Sequence, residues 1–222
     1  VTRCVKVRAK LPSQMEGKYD LVILAVKQRE THAAVTFLKS FLKEDGCIVT
    51  VQNGLPEPEI AKMVGKDRVY GCTLSWSAET VSPGIVRVTS ETGFHLGLGA
   101  YGDGKRLDDI APLFSHAGML TVGNLMEMRF AKLSVNAAFS TLSAISGLTF
   151  YELARKYKKL VLTLMREVFA VARAYGCEKL PQNGYDLFKV FDGLFAGLLL
   201  PIAMKPYRET RSGMLRDIEA GK

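Results

Sequence analysis

The sequence predicts an α/β protein in two parts: a partial, doubly wound parallel sheet over residues 1–122, then an all-α half over residues 123–222. Three observations carry that expectation. Residues 20–26 (D-L-V-I-L-A-V) are an almost unbroken apolar run, as in a strand covered on both faces of a parallel sheet. Residues 30–43 follow with Ala33, Ala34, Phe37, Leu38 and Phe41 at helical spacing, and residues 47–51 (C-I-V-T-V) return as a second buried strand. Beyond Gly123 the strand signal stops and long helical patterns take over.

Taken in order, residues 1–9 are a strand-like run, and the β-α-β order that follows implies a right-handed crossover. Residues 69–75, 85–89 and 94–98 read as further strands, with turns at Ser82-Pro83-Gly84 and Glu91-Thr92-Gly93. Residues 108–116 read as a short helix and 120–122 as a last strand. Residues 125–147, 158–175 and 185–204 are long helical patterns, with a final helix from Arg211 onward. The longest apolar run, residues 193–204, contains Pro201 and is too short to span a bilayer, so a buried helix is expected there. No signal-peptide pattern is visible.

Hydrophobic content of 48% with 23% charged residues is that of an ordinary globular protein with a substantial core. The 30 basic and 22 acidic residues give a net charge of +8, but the basic residues are spread along the chain. Their densest cluster, Lys156, Lys158 and Lys159, is interleaved only with Tyr157, which argues against a nucleic-acid surface. A diffuse positive potential suits anionic small molecules such as a phosphate-bearing cofactor. Cys4, Cys47, Cys72 and Cys177 are far apart, with no CxxC pair and no nearby histidines. Reduced thiols in a cytoplasmic protein are expected, with no metal site.

No G-x-G-x-x-G occurs anywhere, although a dinucleotide-binding sheet normally opens with one. Gly97-x-Gly99 and Gly102-x-Gly104 precede no suitable helix and read as strand-end and turn glycines. The chain is therefore expected to begin inside a domain, and it ends just after a helix.

Chemistry concentrates on the pattern A-K-L-S-V-N-A-A-F-S-T-L-S-A-I from Ala131. Apart from small hydroxyl residues, Lys132 and Asn136 are its only polar side chains, one turn apart on one face. A buried ammonium loses affinity for its proton and becomes fit for proton transfer. The alternative is a lysine that snorkels to water beside an asparagine satisfied in the core. Lys27 and Gln52-Asn53-Gly54 directly follow the two buried strands, at the edge where ligands bind in such sheets. With Lys132 and Asn136 they describe an interdomain crevice suited to a polar, anionic substrate with a carbonyl group. His32, His95 and His116 lie beside no candidate nucleophile and read as structural. Trp76 is expected between sheet and helices, or at the pocket mouth.

The motifs D-L-V-I-L-A-V-K (residues 20–27), Gln52-Asn53-Gly54-Leu55, Pro83-Gly84-Ile85-Val86, Arg129-x-x-Lys132-x-x-x-Asn136 and Ser212-x-Met214-Leu215-x-Asp217 recur in this order in ketopantoate reductases. The chain resembles that family over nearly its whole length. The resemblance implies a partial Rossmann-like domain, a helical substrate domain, and NADPH-dependent reduction of a 2-oxo acid to a 2-hydroxy acid. It implies Lys132 as proton donor and Asn136 as a substrate ligand, with Ser140 and Ser212 at or beside further substrate positions. Lys27 and Asn53 are implied as cofactor contacts, together with Ala78, or Ser77 if the loop is gapped differently. The partner implied is a small 2-oxo acid, with no membrane and with room for a homodimer. Ser140 and Phe150 stand where well-studied members carry asparagines, and Gly213 where they carry a serine. A non-catalytic relative that senses a nucleotide or hydroxy acid is the competing expectation.

Overall fold

The computed structural model describes residues 3–76, 78–89 and 94–221. Its first half is built on a five-stranded sheet. Strands β1 (Tyr19–Leu24), β2 (Leu42–Thr50) and β3 (Val69–Leu74) run parallel, joined through helices α1 (Thr31–Leu38) and α2 (Glu57–Val64). The apolar runs form strands because both faces are covered: Ile48, Val49, Val69 and Tyr70 have no exposed surface. After β3 the chain makes a separate ribbon, β4 (Ala78–Ser82) and β5 (Ile85–Val88), turned by Gly84 at φ 78°. The strand expected at residues 85–89 thus joins this exposed ribbon, apart from the main sheet. Strand β6 (His95–Ala100) re-enters antiparallel to β3, and α3 (Leu107–Ser115) returns the chain to β7 (Met119–Val122), parallel to β6.

Two expectations fail here. Residues 3–9 hold no regular structure and are exposed. Their apolar side chains alternate with lysine and arginine, and no strand among the described residues pairs with them. Gly97 and Gly99 are neither strand-end nor turn glycines, but lie inside β6. A Cβ on Gly97 would come within 2.6 Å of Met128 Sδ, and one on Gly99 within 2.8 Å of Leu125 Cβ. These glycines let the next helix lie directly on the sheet. The turn at Glu91-Thr92-Gly93 falls outside the described residues.

That helix is α4 (Leu125–Val135), capped by Asn124, whose Oδ1 accepts from the backbone N–H groups of Met126 and Glu127. It runs into a π-helical turn, Asn136–Ser140, and then α5 (Thr141–Ser146), which Gly147 ends at φ 72°. Next come α6 (Phe150–Lys156), with a Thr149/Glu152 capping box, and the long α7 (Lys158–Ala174). Val161, Met165, Phe169 and Ala172 of α7 meet Phe130, Phe139 and Leu153 in the core of the helical half.

The helix expected over residues 185–204 is broken. Asn183 and Gly184, both at positive φ, turn the hairpin of β8 (Pro181–Gln182) and β9 (Tyr185–Asp186). Asp186 caps α8 (Leu187–Phe191), and α9 (Ala196–Ala203) follows. The apolar run at residues 193–204 is not a buried helix: Leu194 is 99% exposed, and Phe195, Leu198, Leu199 and Ile202 are exposed as well. Of this run Ala196, Leu200 and Met204 face the core, because α9 is covered on one side alone. Helix α10 (Gly213–Glu219) closes the described chain. Among the described residues, no single helix is long and apolar enough to cross a membrane.

Candidate functional site

Three parallel strands place their carboxyl ends on one edge of the sheet, and the candidate residues gather there. Lys27 follows β1, Asn53 follows β2, and Ser75-Trp76 follow β3. The first two loops are joined by Gln52, whose buried amide donates to Val26 O at 2.8 Å and to Thr31 Oγ1 at 2.9 Å. Gln52 therefore does structural work inside the Q-N-G motif, while Asn53 beside it is exposed. Gly54 at φ 80° makes the turn.

Lys132 comes to this edge from the helical side. Its Nζ donates to Leu74 O, the last residue of β3, at 2.6 Å. Burial pulls its pKa from 10.5 down to about 8; the Arg129 cation adds to the fall, and the Cys72 thiol on β3 opposes it. Asn136 is half-buried one turn further on, and its side chain has no hydrogen-bond partner among the described residues. The π turn begins at Asn136, so Ser140 no longer stacks directly beyond it as it would in a straight α-helix. Such turns recur at functional sites.

Helix α10 forms the facing wall. Asp217 Oδ2 accepts from Lys27 Nζ at 3.0 Å, and Arg216 Nη1 lies 3.7 Å from Glu79 Oε2 on β4. Adjacent residues of α10 thereby tie the loop after β1 to the strand that begins at Ala78. Lys27 remains 71% exposed despite this pair. Ala78 is exposed at the head of the ribbon, and Ser77 lies outside the described residues. Ser212 does not open toward the crevice: it is 2% exposed, its Oγ accepts from Leu215 N, and its own N–H donates to Ser143 Oγ on α5. A cap that docks α10 on α5 is its place in this structure. Phe150 packs its ring on Phe139 at 5.3 Å. Trp76 packs edge-on against Phe94, with its indole N–H buried and unpaired among the described residues.

One cluster escaped sequence reasoning. Arg129, 1% exposed, forms a buried ion pair with Glu57, 0% exposed, at the start of α2. The available signal was a second cation one turn before Lys132 on an apolar helix, which requires an anion nearby.

The residues present fit part of a dinucleotide. Lys27 and Asn53 offer a cation and an amide at adjacent strand ends, on the same edge of the sheet that Lys132 reaches through Leu74 O. No glycine-rich turn for a pyrophosphate occurs among the described residues.

Residues 1–101 match the family described as Ketopantoate reductase PanE/ApbA, and residues 124–222 match its C-terminal counterpart. Over 210 residues the chain is 30% identical to a 2-dehydropantoate 2-reductase of Nostoc sp., covering 90% of this chain and 61% of that protein. It is 26% identical over 209 residues to one of Pyrococcus abyssi, covering 93% of this chain and 65% of that one. The crystal structure of 2-dehydropantoate 2-reductase from Geobacter metallireducens GS-15 superposes with a TM-score of 0.75 at 27% identity, covering 93% of this chain and 66% of that one. The chain thus spans under two thirds of the length of the two curated relatives. With a Rossmann-like sheet in its first half, a mainly helical second half and both family matches, the chain belongs to the ketopantoate reductase family.

Proposed function

We propose that the chain carries the catalytic apparatus of an NADPH-dependent oxidoreductase that reduces a 2-oxo acid to a 2-hydroxy acid, of the type that converts 2-dehydropantoate to pantoate. Residues 1–122 form the cofactor-facing domain and residues 123–222 the substrate-facing one. The observation that carries the reading is Lys132, a half-buried ammonium with its pKa near 8, aimed at the carboxyl edge of the sheet.

The nicotinamide cofactor supplies the hydride when bound. Lys132 donates its proton to the substrate's carbonyl oxygen as negative charge develops there, a stabilisation that exists only in the transition state. Asn136 has an uncommitted amide to orient the substrate carboxylate, with Ser140 behind it. Lys27 and Asn53 hold the cofactor, Ala78 borders it, and Lys27 exchanges Asp217 for a cofactor anion. The donor must be protonated, so turnover falls as pH rises through about 8. A homodimer belongs to the same reading, and the exposed apolar face of α9 supports it.

Lys132→Ala should lower kcat by about 10²- to 10⁴-fold with the fold intact, followed as loss of NADPH absorbance with a panel of 2-oxo acids. Unchanged turnover removes Lys132 from the reaction. Phe150, apolar where the family carries an asparagine, favours a second reading as a nucleotide or hydroxy-acid sensor; binding without any substrate-dependent NADPH loss would select it.

A further inference from the structure

Arg129 lies one turn before Lys132 on α4 but reaches the other way, into the sheet. Its Nη1 donates to Gln52 O at 2.6 Å and its Nη2 to Thr50 O at 3.1 Å, while Nε donates to Glu57 Oε1 at 2.8 Å and Nη2 contacts the same oxygen. The two carbonyls flank Val51 and lead straight into Asn53. Glu57 Oε2 is buried without a partner among the described residues. Gly71 on β3 leaves room for the charges: a Cβ there would collide with Glu57 Oε1 and lie 3.0 Å from Arg129 Nη2. Apolar groups of similar volume often replace a buried ion pair at no loss of stability, so fold maintenance alone is a weak account of this one.

We propose that the Glu57–Arg129 pair is a positioning device for the reduction, locking the turn that bears Asn53 to the helix that bears Lys132 and fixing the charge beside which Lys132 works. The inference rests on the proton-donor reading of Lys132. Two effects follow. The bidentate guanidinium makes α4 and the Q-N-G turn one rigid unit, so the cofactor and substrate walls keep a fixed separation. The carboxylate offsets the Arg129 charge; without it a bare cation one turn away disfavours the Lys132 ammonium. The elements packed against α4 carry Tyr70 and Cys72 on β3, His95 on β6, and Lys158, Lys159, Arg166, Glu167 and Arg173 on α7, with no ionisable group on β8. Arg129, held by Glu57, is the charge that lowers the Lys132 pKa, second to burial.

The test uses two variants of the whole chain beside Lys132→Ala. Glu57→Gln keeps the shape and removes the charge. The alkaline limb of kcat should move down by roughly one pH unit, as should the midpoint for acylation of Lys132 by acetic anhydride read by mass spectrometry, which needs no turnover. Glu57→Met/Arg129→Met replaces the pair by apolar groups and keeps the fold. It should weaken NADPH binding, titrated by fluorescence without 2-oxo acid, by about tenfold. An unmoved labelling midpoint together with unchanged NADPH affinity in the folded double variant overturns the inference. Undiminished turnover in Lys132→Ala overturns the donor reading instead, and the labelling and binding measurements still decide the positioning role.

Discussion

Lys132→Met should make this protein more stable at neutral pH while disabling it. The fall of the Lys132 pKa from 10.5 to about 8 corresponds to about 3 kcal/mol, at about 1.4 kcal/mol per pH unit. Below pH 8 both folded and unfolded chains carry the proton, and the folded state bears the whole cost of a half-buried, desolvated ammonium. Between about 8 and 10.5 the unfolded chain holds the proton and the folded chain has released it, so stability rises with pH across that window. Methionine removes the charge and keeps most of the volume, but strands the Leu74 carbonyl that Nζ satisfied, costing about 1 kcal/mol. The net gain at neutral pH is about 2 kcal/mol, shrinking toward zero at about pH 10. Urea unfolding of both proteins at the two pH values measures it. Equal stability at neutral pH, or a gain that persists unchanged in alkali, would refute the account of Lys132 as a strained, desolvated cation.

Gly71→Ala should lower stability by about 1–3 kcal/mol in thermal unfolding, because the new methyl meets Glu57 Oε1 and sits 2.6 Å from Leu125 Cδ1. Gly123→Ala, with nothing within 4 Å, should change little by the same measurement. Ser212→Ala should cost about 1 kcal/mol through loss of the α10 cap, seen as faster hydrogen exchange at the Leu215 amide.

The buried strands were legible because coverage on both faces writes a continuous apolar run, as in β1 and β2. Lys132 was legible because charge on an apolar helix is conspicuous. The ion pair beneath it was not: Arg129 and Glu57 are 72 residues apart, and only the sheet brings them together. Gly97 and Gly99 misled for a related reason. What a glycine makes room for lies across the packing interface, here α4, and leaves no mark on its own strand. The apolar run around α9 misled in the opposite direction, since composition records that a side chain is apolar but not that a second layer covers it. The π turn at Asn136 also leaves no pattern, because an added residue in one turn keeps the stretch apolar throughout.

The glycine face of β3 and β6 has a consequence for how the molecule assembles. Where Gly71, Gly97 and Gly99 leave gaps on one face of the sheet, that face stays unfilled until its covering helix arrives. In this chain that helix follows the last strand of the sheet. The helix, for its part, carries an arginine whose counterion belongs to the sheet. Each half has an apolar core of its own, but the seam between them stays open until the other docks, so neither reaches its full stability alone. Docking of α4 closes that seam and couples the stability of the sheet to that of the helices.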